Sequence, residues 1–229
     1  MLHIITMLRR ALFQIVFSKE WGRQMRFITG PRQCGKTTLA KMKLAQEGTP
    51  ELYYLWDLRS VRNRYKNDQL FFTQDRPPAP SKKWWVCFDE MHKMPQWKNG
   101  LKAVFDSSGE HYRFIVTGSA KLDIFRKAGD SLSGRYFTFH LFPLILCELL
   151  GTRDISIKVP AAAQDWIQEK LDSKVKGEKA LQDLMEYSGF PEPFLRQSNC
   201  GSSIQNAGGF REYSFYPIVL SRRHLPDRK

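Results

Sequence analysis

The sequence predicts an α/β fold, a parallel β-sheet flanked by helices, with a small truncated helical region behind it. Three observations carry that expectation. Apolar runs alternate with helical segments from Met25 to Leu150, the order that a parallel sheet with crossover helices requires. The run Trp84–Phe88 is apolar at every position, as a strand buried on both faces is. A glycine-containing turn, Gly30–Thr37, joins a predicted strand to a predicted helix.

Taken in order, residues 1–17 hold apolar residues split by Arg9 and Arg10. They read as an amphipathic helix, since a secretory signal places its charge before an unbroken apolar run. Met25–Thr29 is a strand ending at Gly30-Pro31, and Thr37–Gln46 is a helix closing at Gly48. The aromatic run Leu52–Trp56 is a strand ended by Asp57. Leu58–Phe72 reads as one helix with a basic face of Arg59, Arg62, Arg64 and Lys66. Residues 75–83 carry three prolines in nine positions and form a loop. Trp84–Phe88 is the central strand, Trp97–Ser107 a helix, and Phe114–Thr117 a further buried strand. Arg135–Leu141 alternates and is the last strand, with a short helix after Pro143 through Leu150. Residues 161–187 are amphipathic helix broken at Gly177, 189–193 a turn cluster, and 198–209 polar and Gly/Ser-rich. The expected organisation is one domain over 1–150, a helical connection over 151–197, and a disordered or truncated remnant over 198–229.

The 229 residues suffice for a full core. No segment approaches the ~18 unbroken apolar residues of a membrane span, so no membrane partner is expected. Cys34, Cys87, Cys147 and Cys200 form no C-x-x-C pair; neither a zinc site nor a disulfide framework is indicated, and a cytoplasmic setting fits. The net charge is +13. Residues 1–50 carry nine Lys/Arg against two acids and the last nine residues add +3. That balance suits either a polyanionic partner such as nucleic acid or a protein with a basic face.

The strongest chemical signal is G-P-R-Q-C-G-K-T at 30–37, which fits G-x-x-x-x-G-K-[ST] at each fixed position. Chance would produce it in about one in a hundred chains of this length. Gly30 and Gly35 let the backbone wrap a phosphate, and the following helix presents its positive end to the same anion. Lys36 would reach the β- and γ-phosphates and the Thr37 hydroxyl would complete a magnesium shell. The expected ATP-binding set is Gly30, Pro31, Arg32, Gln33, Cys34, Gly35, Lys36, Thr37 and Thr38. W-W-V-C-F-D-E at 84–90 supplies the second part: Asp89, ending a buried strand, holds magnesium with Thr37, and Glu90 polarises the attacking water. In V-T-G-S at 116–119, Thr117 or Ser119 would sense the γ-phosphate; the alternative is a strand-ending turn. In S-L-S-G-R at 131–135, Arg135 is either a finger to the γ-phosphate, from its own chain or a neighbouring copy, or a structural ion pair. His92 reads as a structural residue, because no cluster around it completes a metal site.

The ordered set GPRQCGKTT, LYYLWD, VCFDEMHK, WKNGLKAVFD, VTGSAKLD, DSLSGRY and FPLILCEL resembles the bacterial and archaeal AAA+-like P-loop ATPases. In that family the ATPase domain precedes a C-terminal domain with a winged-helix part and a nuclease-like core. The resemblance covers roughly residues 10–195 and implies nucleotide roles for Gly30, Gly35, Lys36, Thr37, Asp89 and Glu90, with sensor roles for Ser119 and Arg135. The family's chains continue beyond this one's Lys229, and after Tyr213 the sequence looks unlike them; a frameshift would account for both. The expected function is magnesium-dependent ATP hydrolysis coupled to conformational change, with a homo-oligomer if Arg135 acts across copies. The alternative is a nucleotide-gated nucleic-acid-binding module with little or no turnover. No protein partner is identified.

Overall fold

The computed structural model describes residues 10–75, 83–118, 132–151 and 177–197. Five strands form one sheet, β1 (Met25–Thr29), β2 (Tyr53–Leu55), β3 (Trp84–Asp89), β4 (Tyr112–Thr117) and β5 (Tyr136–His140). Their order is β2-β3-β4-β1-β5, and every pairing is parallel. The expected α/β architecture is therefore present. The helices are α1 (Leu12–Val16), α2 (Lys36–Gln46), α3 (Arg59–Asn67), α4 (Trp97–Ser108), α5 (Leu146–Leu149), α6 (Glu178–Tyr187) and α7 (Pro191–Arg196).

The unbroken apolar runs follow from burial on both sides of the sheet. Side chains alternate between the faces of a strand. On one face Phe27, Val86, Phe88, Phe114 and Val116 pack with Trp97, Leu101, Val104 and Phe105 of α4. On the other, Ile28, Trp85, Cys87 and Ile115 pack with Val16 of α1 and Leu39, Ala40 and Leu44 of α2. Phe72 stands edge-on to Phe88, Tyr112 and Phe114 at centroid distances of 5.7, 5.1 and 5.8 Å.

That use of Phe72 explains a departure from the sequence reading. The helix expected over 58–72 ends at Asn67, and a tighter turn spans Phe71–Asp75. Asp68 takes an extended conformation and its carboxylate accepts the Leu70 N–H at 2.7 Å. The chain thereby turns Phe71 and Phe72 into the core instead of leaving them on an exposed helix. Two cations of the supposed basic face are spent locally. Arg64 pairs with Asp75 at 2.8 Å, and Arg62 donates to the carbonyls of Trp56 and Asp57. The turn cluster at 189–193 is in part a helix start, with Pro191 at the first helical position, where its missing N–H costs nothing.

Arg26 of β1 is 1% exposed and fixes the segment leading into the sheet. Its guanidinium donates to the carbonyls of Val16, Ser18, Trp21, Gly22 and Gln24. Burial, with Arg113 nearby, lowers its pKa to about 10, so the group stays charged near neutrality. One buried cation thus closes α1 and the turn after it against the sheet, which fixes the place of Arg10 just before α1.

Among the described residues no helix is long and apolar enough to cross a membrane. Ser119, residues 76–82, the stretch 152–176 and the expected remnant 198–229 lie outside the described residues.

Candidate functional site

The loop over residues 30–35 leaves the C-terminal end of β1 and runs into α2. Gly30 has φ +142°, and a Cβ there would stand 2.2 Å from the Leu141 carbonyl oxygen. Only glycine tolerates both the backbone and the contact. Gly35 takes the left-handed conformation, φ +100°, at the N-terminal boundary of α2. Lys36 opens the helix with its side chain turned back over the loop, 8% exposed. Its Nζ donates to the carbonyls of Gly30 at 3.1 Å and Pro31 at 2.5 Å and lies 3.8 Å from Cys34 Sγ. Pro31 has no N–H, so its peptide offers the loop a carbonyl only.

The strand register brings the other groups to the same edge. Asp89 stands beside Leu55 on β2 and Thr117 on β4, and Thr117 stands beside Ile28 on β1. These pairs lie at the C-terminal ends of four adjacent strands, where ligands of parallel sheets bind. Asp89 is 3% exposed. Its carboxylate accepts the Thr37 hydroxyl at 2.8 Å and the hydroxyls of Tyr53 and Thr117. Burial first, and then the Asp89 carboxylate, holds the Tyr53 phenol protonated well above its ordinary range.

Glu90 follows in the left-handed region at φ +59°, uncommon for a residue other than glycine. Its N–H donates to the Thr117 carbonyl at 3.0 Å. The carboxylate lies 3.5 Å from Lys93 Nζ and 3.7 Å from His92 Nε2, and Lys93 also pairs with Asp57 at 2.6 Å. A strained backbone fixed by a strand-to-strand hydrogen bond aims a carboxylate, the kind of local cost that clusters at working sites.

The structure thus gathers the loop, Lys36, Thr37, Asp89, Glu90 and Thr117 at one edge. Arg135 is elsewhere. It precedes β5, and its carbonyl accepts the Met25 N–H at the start of β1, the opposite edge of the sheet. About five residues of strand, roughly 16 Å at the usual rise, separate it from the loop. Its guanidinium grips Asp106 of α4 through two hydrogen bonds of 2.8 and 3.0 Å. This placement corrects the reading of Arg135 as a finger to the phosphates of its own chain. It leaves the ion pair, or action on a neighbouring copy. Arg32, Gln33 and Thr38 lie on or beside the loop.

Two residues with polar contacts at this edge carry no functional signal in the sequence. Tyr53 reads there as part of an aromatic strand, and Arg10 as one of two arginines dividing the apolar residues of an amphipathic helix. Arg10 donates to the Cys34 carbonyl within the loop at 2.6 Å and pairs with Glu148 at 3.0 Å. Neither contact leaves a local pattern; the second joins residues 138 positions apart. Among the described residues no three His, Cys, Asp or Glu side chains gather into a metal cluster.

Residues 22–150, more than half of the chain, match a family described as an AAA domain. Uncharacterized proteins of Mycobacterium bovis and Mycobacterium tuberculosis are each 27% identical over 141 residues, which is 62% of this chain and 28% of theirs. An uncharacterized protein of Haemophilus influenzae is 24% identical over 178 residues, 73% of this chain and 39% of its own. The chain therefore spans well under half the length of these curated relatives. Among solved structures, C. elegans PCH-2 superimposes with a TM-score of 0.41 at 16% identity, covering 78% of this chain and 55% of that one.

Proposed function

This chain belongs to the AAA domain family, and we propose that it binds ATP with magnesium on residues 30–38 and Asp89, hydrolyses it with Glu90, and couples turnover to conformational change. A nucleotide-binding, ATPase-type function follows from the family in general terms. The finer reading rests on one observation above all. The Thr37 hydroxyl and the Asp89 carboxylate meet at 2.8 Å beside a loop whose lysine points back across it.

The residues present fit the ligand. A hydroxyl and a carboxylate are hard oxygen donors, and magnesium takes one or two such groups and completes its shell with water and phosphate. When bound, the ion would neutralise charge on the phosphate oxygens. Lys36 would exchange the Gly30 and Pro31 carbonyls for phosphate oxygens, which makes its reach short and its direction preset. Tyr53 and Thr117 hold the Asp89 carboxylate, so Thr37 and Asp89 keep their relative positions. Glu90 would accept the proton of the attacking water, and Lys93 with Asp57 would hold its carboxylate at the rim. The nucleic-acid alternative has less to draw on in α3, where Arg62 and Arg64 already serve the fold.

The test is ATP affinity and phosphate release from the purified protein, with and without magnesium and with and without DNA. Absence of ATP binding removes the reading, and binding without release selects the nucleotide-gated module. The Arg135 placement adds a prediction. If the residue serves a neighbouring copy, wild-type turnover per chain rises with protein concentration and Arg135→Ala abolishes that rise while ATP affinity holds. A turnover number unchanged by Arg135→Ala leaves the Asp106 ion pair as its whole role. At that exposed position such a pair is worth little to stability.

A further inference from the structure

Arg10 is a buried cation that the reading above leaves unused. Its side chain is 8% exposed and that of Glu148 4%. The guanidinium spends its fork on three parts of the chain at once. Nη1 donates to the Cys34 carbonyl at 2.6 Å, Nη2 to the carbonyls of Phe142 at 2.5 Å and Pro143 at 3.3 Å, and Nε to both Glu148 oxygens at 3.0 and 3.1 Å. Glu148 in turn accepts the N–H groups of Ala11 at 2.8 Å and Ile145 at 3.2 Å. Gly35 lies directly beside this arrangement. A methyl on its Cα would stand in ordinary van der Waals contact, 3.5 Å from Arg10 Nη1 and 3.9 Å from Pro191, so it is the positive φ of +100° and not lack of space that calls for glycine. Pro191 opens α7, and that part of the chain is itself tied back, because the Leu144 N–H donates to the Gly189 carbonyl at 2.5 Å.

The peptide plane gives the contact with Cys34 its consequence. In a trans peptide the carbonyl of one residue and the N–H of the next point in opposite directions. Holding the Cys34 carbonyl on Arg10 therefore turns the Gly35 N–H away from Arg10. The loop can present that donor to an anion only while this peptide keeps its orientation. The same guanidinium is bonded to the segment after β5, so the loop peptide and that segment share one anchor. Lysine cannot reproduce it, since a single ammonium lacks the planar fork that serves separated acceptors.

We propose that Arg10 is a positioning residue for the phosphate-binding loop, and that through it nucleotide binding and the arrangement of residues 142–148 and 189–191 form one coupled equilibrium. The inference rests on the reading of residues 30–37 as a nucleotide site. Coupling of this kind is reciprocal: whatever nucleotide does to the post-β5 segment, that segment does to nucleotide affinity.

The test uses the full chain, titrated with ATP plus magnesium and separately with ADP, with amide hydrogen exchange followed over 142–151 and 177–197. In the wild type, nucleotide is expected to change exchange in both segments. Arg10→Gln is expected to weaken nucleotide binding by about tenfold or more and to abolish that response, with Arg10→Lys failing to rescue it. Wild-type affinity in Arg10→Gln overturns the positioning role, and wild-type exchange that ignores bound nucleotide overturns the coupling. Should Arg10→Gln not fold, Arg10→Met combined with Glu148→Met removes both buried charges together and carries the same test. A wild type that binds nucleotide no better than Lys36→Ala overturns instead the nucleotide reading beneath the proposal.

Discussion

Lys36→Ala is expected to raise the dissociation constant for ATP about a hundredfold or more, the loss of a charged hydrogen bond to phosphate at a largely buried position. The fold should survive it. Nζ bonds the Gly30 and Pro31 carbonyls, and neither the α2 packing of Leu39, Ala40 and Leu44 nor the sheet depends on that contact. Two carbonyls losing one donor cost about 1–2 kcal/mol, which thermal unfolding without nucleotide would register as a modest shift. Equilibrium titration with a fluorescent ATP analogue measures the affinity. A dissociation constant within about twofold of wild type, in a variant that unfolds normally, refutes the assignment of residues 30–37.

The parts of this architecture that were legible in the sequence are those written in local patterns. G-x-x-x-x-G-K-T has fixed spacing because a single turn must place its glycines and lysine together, and β3 announced itself because both of its faces are buried. The strand ending at Asp89 was legible for the same reason. Contacts between elements were not legible. Arg135 opens a strand of a parallel sheet, so its place at the edge opposite the loop follows from the expected architecture. That its guanidinium meets Asp106 of α4 depends on how that helix lies against the sheet, and no local signal encodes it. Tyr53 and Arg10 escaped for a related reason. A tyrosine in a run of aromatics looks like core until its hydroxyl is seen on a carboxylate two strand positions away in the neighbouring strand. An arginine in an apolar segment looks like surface until its acceptors are in place. Helix length failed over 58–72 because the pull of Phe71 and Phe72 into the core is tertiary, and it overrides the helical composition around them.

Glu90→Gln is expected to retain binding of ATP with magnesium and to lower the rate of hydrolysis about 10²–10⁴-fold, the usual contribution of a positioned general base. Glutamine keeps the length and shape of the side chain, so the left-handed backbone at φ +59° and the N–H bond to Thr117 stay as they are. What the amide loses is the ability to take a proton from water and the charge that Lys93 and His92 face at 3.5 and 3.7 Å. The two neighbouring acids should therefore separate cleanly. Asp89→Asn changes the donor shared with Thr37 at 2.8 Å and should raise the magnesium concentration required for ATP binding, whereas Glu90→Gln should leave that requirement alone. Single-turnover phosphate release with ATP bound before mixing isolates the chemical step from binding. If Glu90→Gln releases phosphate at the wild-type rate, the water is activated by another group. If instead it loses ATP affinity to the same extent as Asp89→Asn, Glu90 serves the binding of ATP and not the chemistry, and the division of labour between the two carboxylates at the end of β3 is wrong.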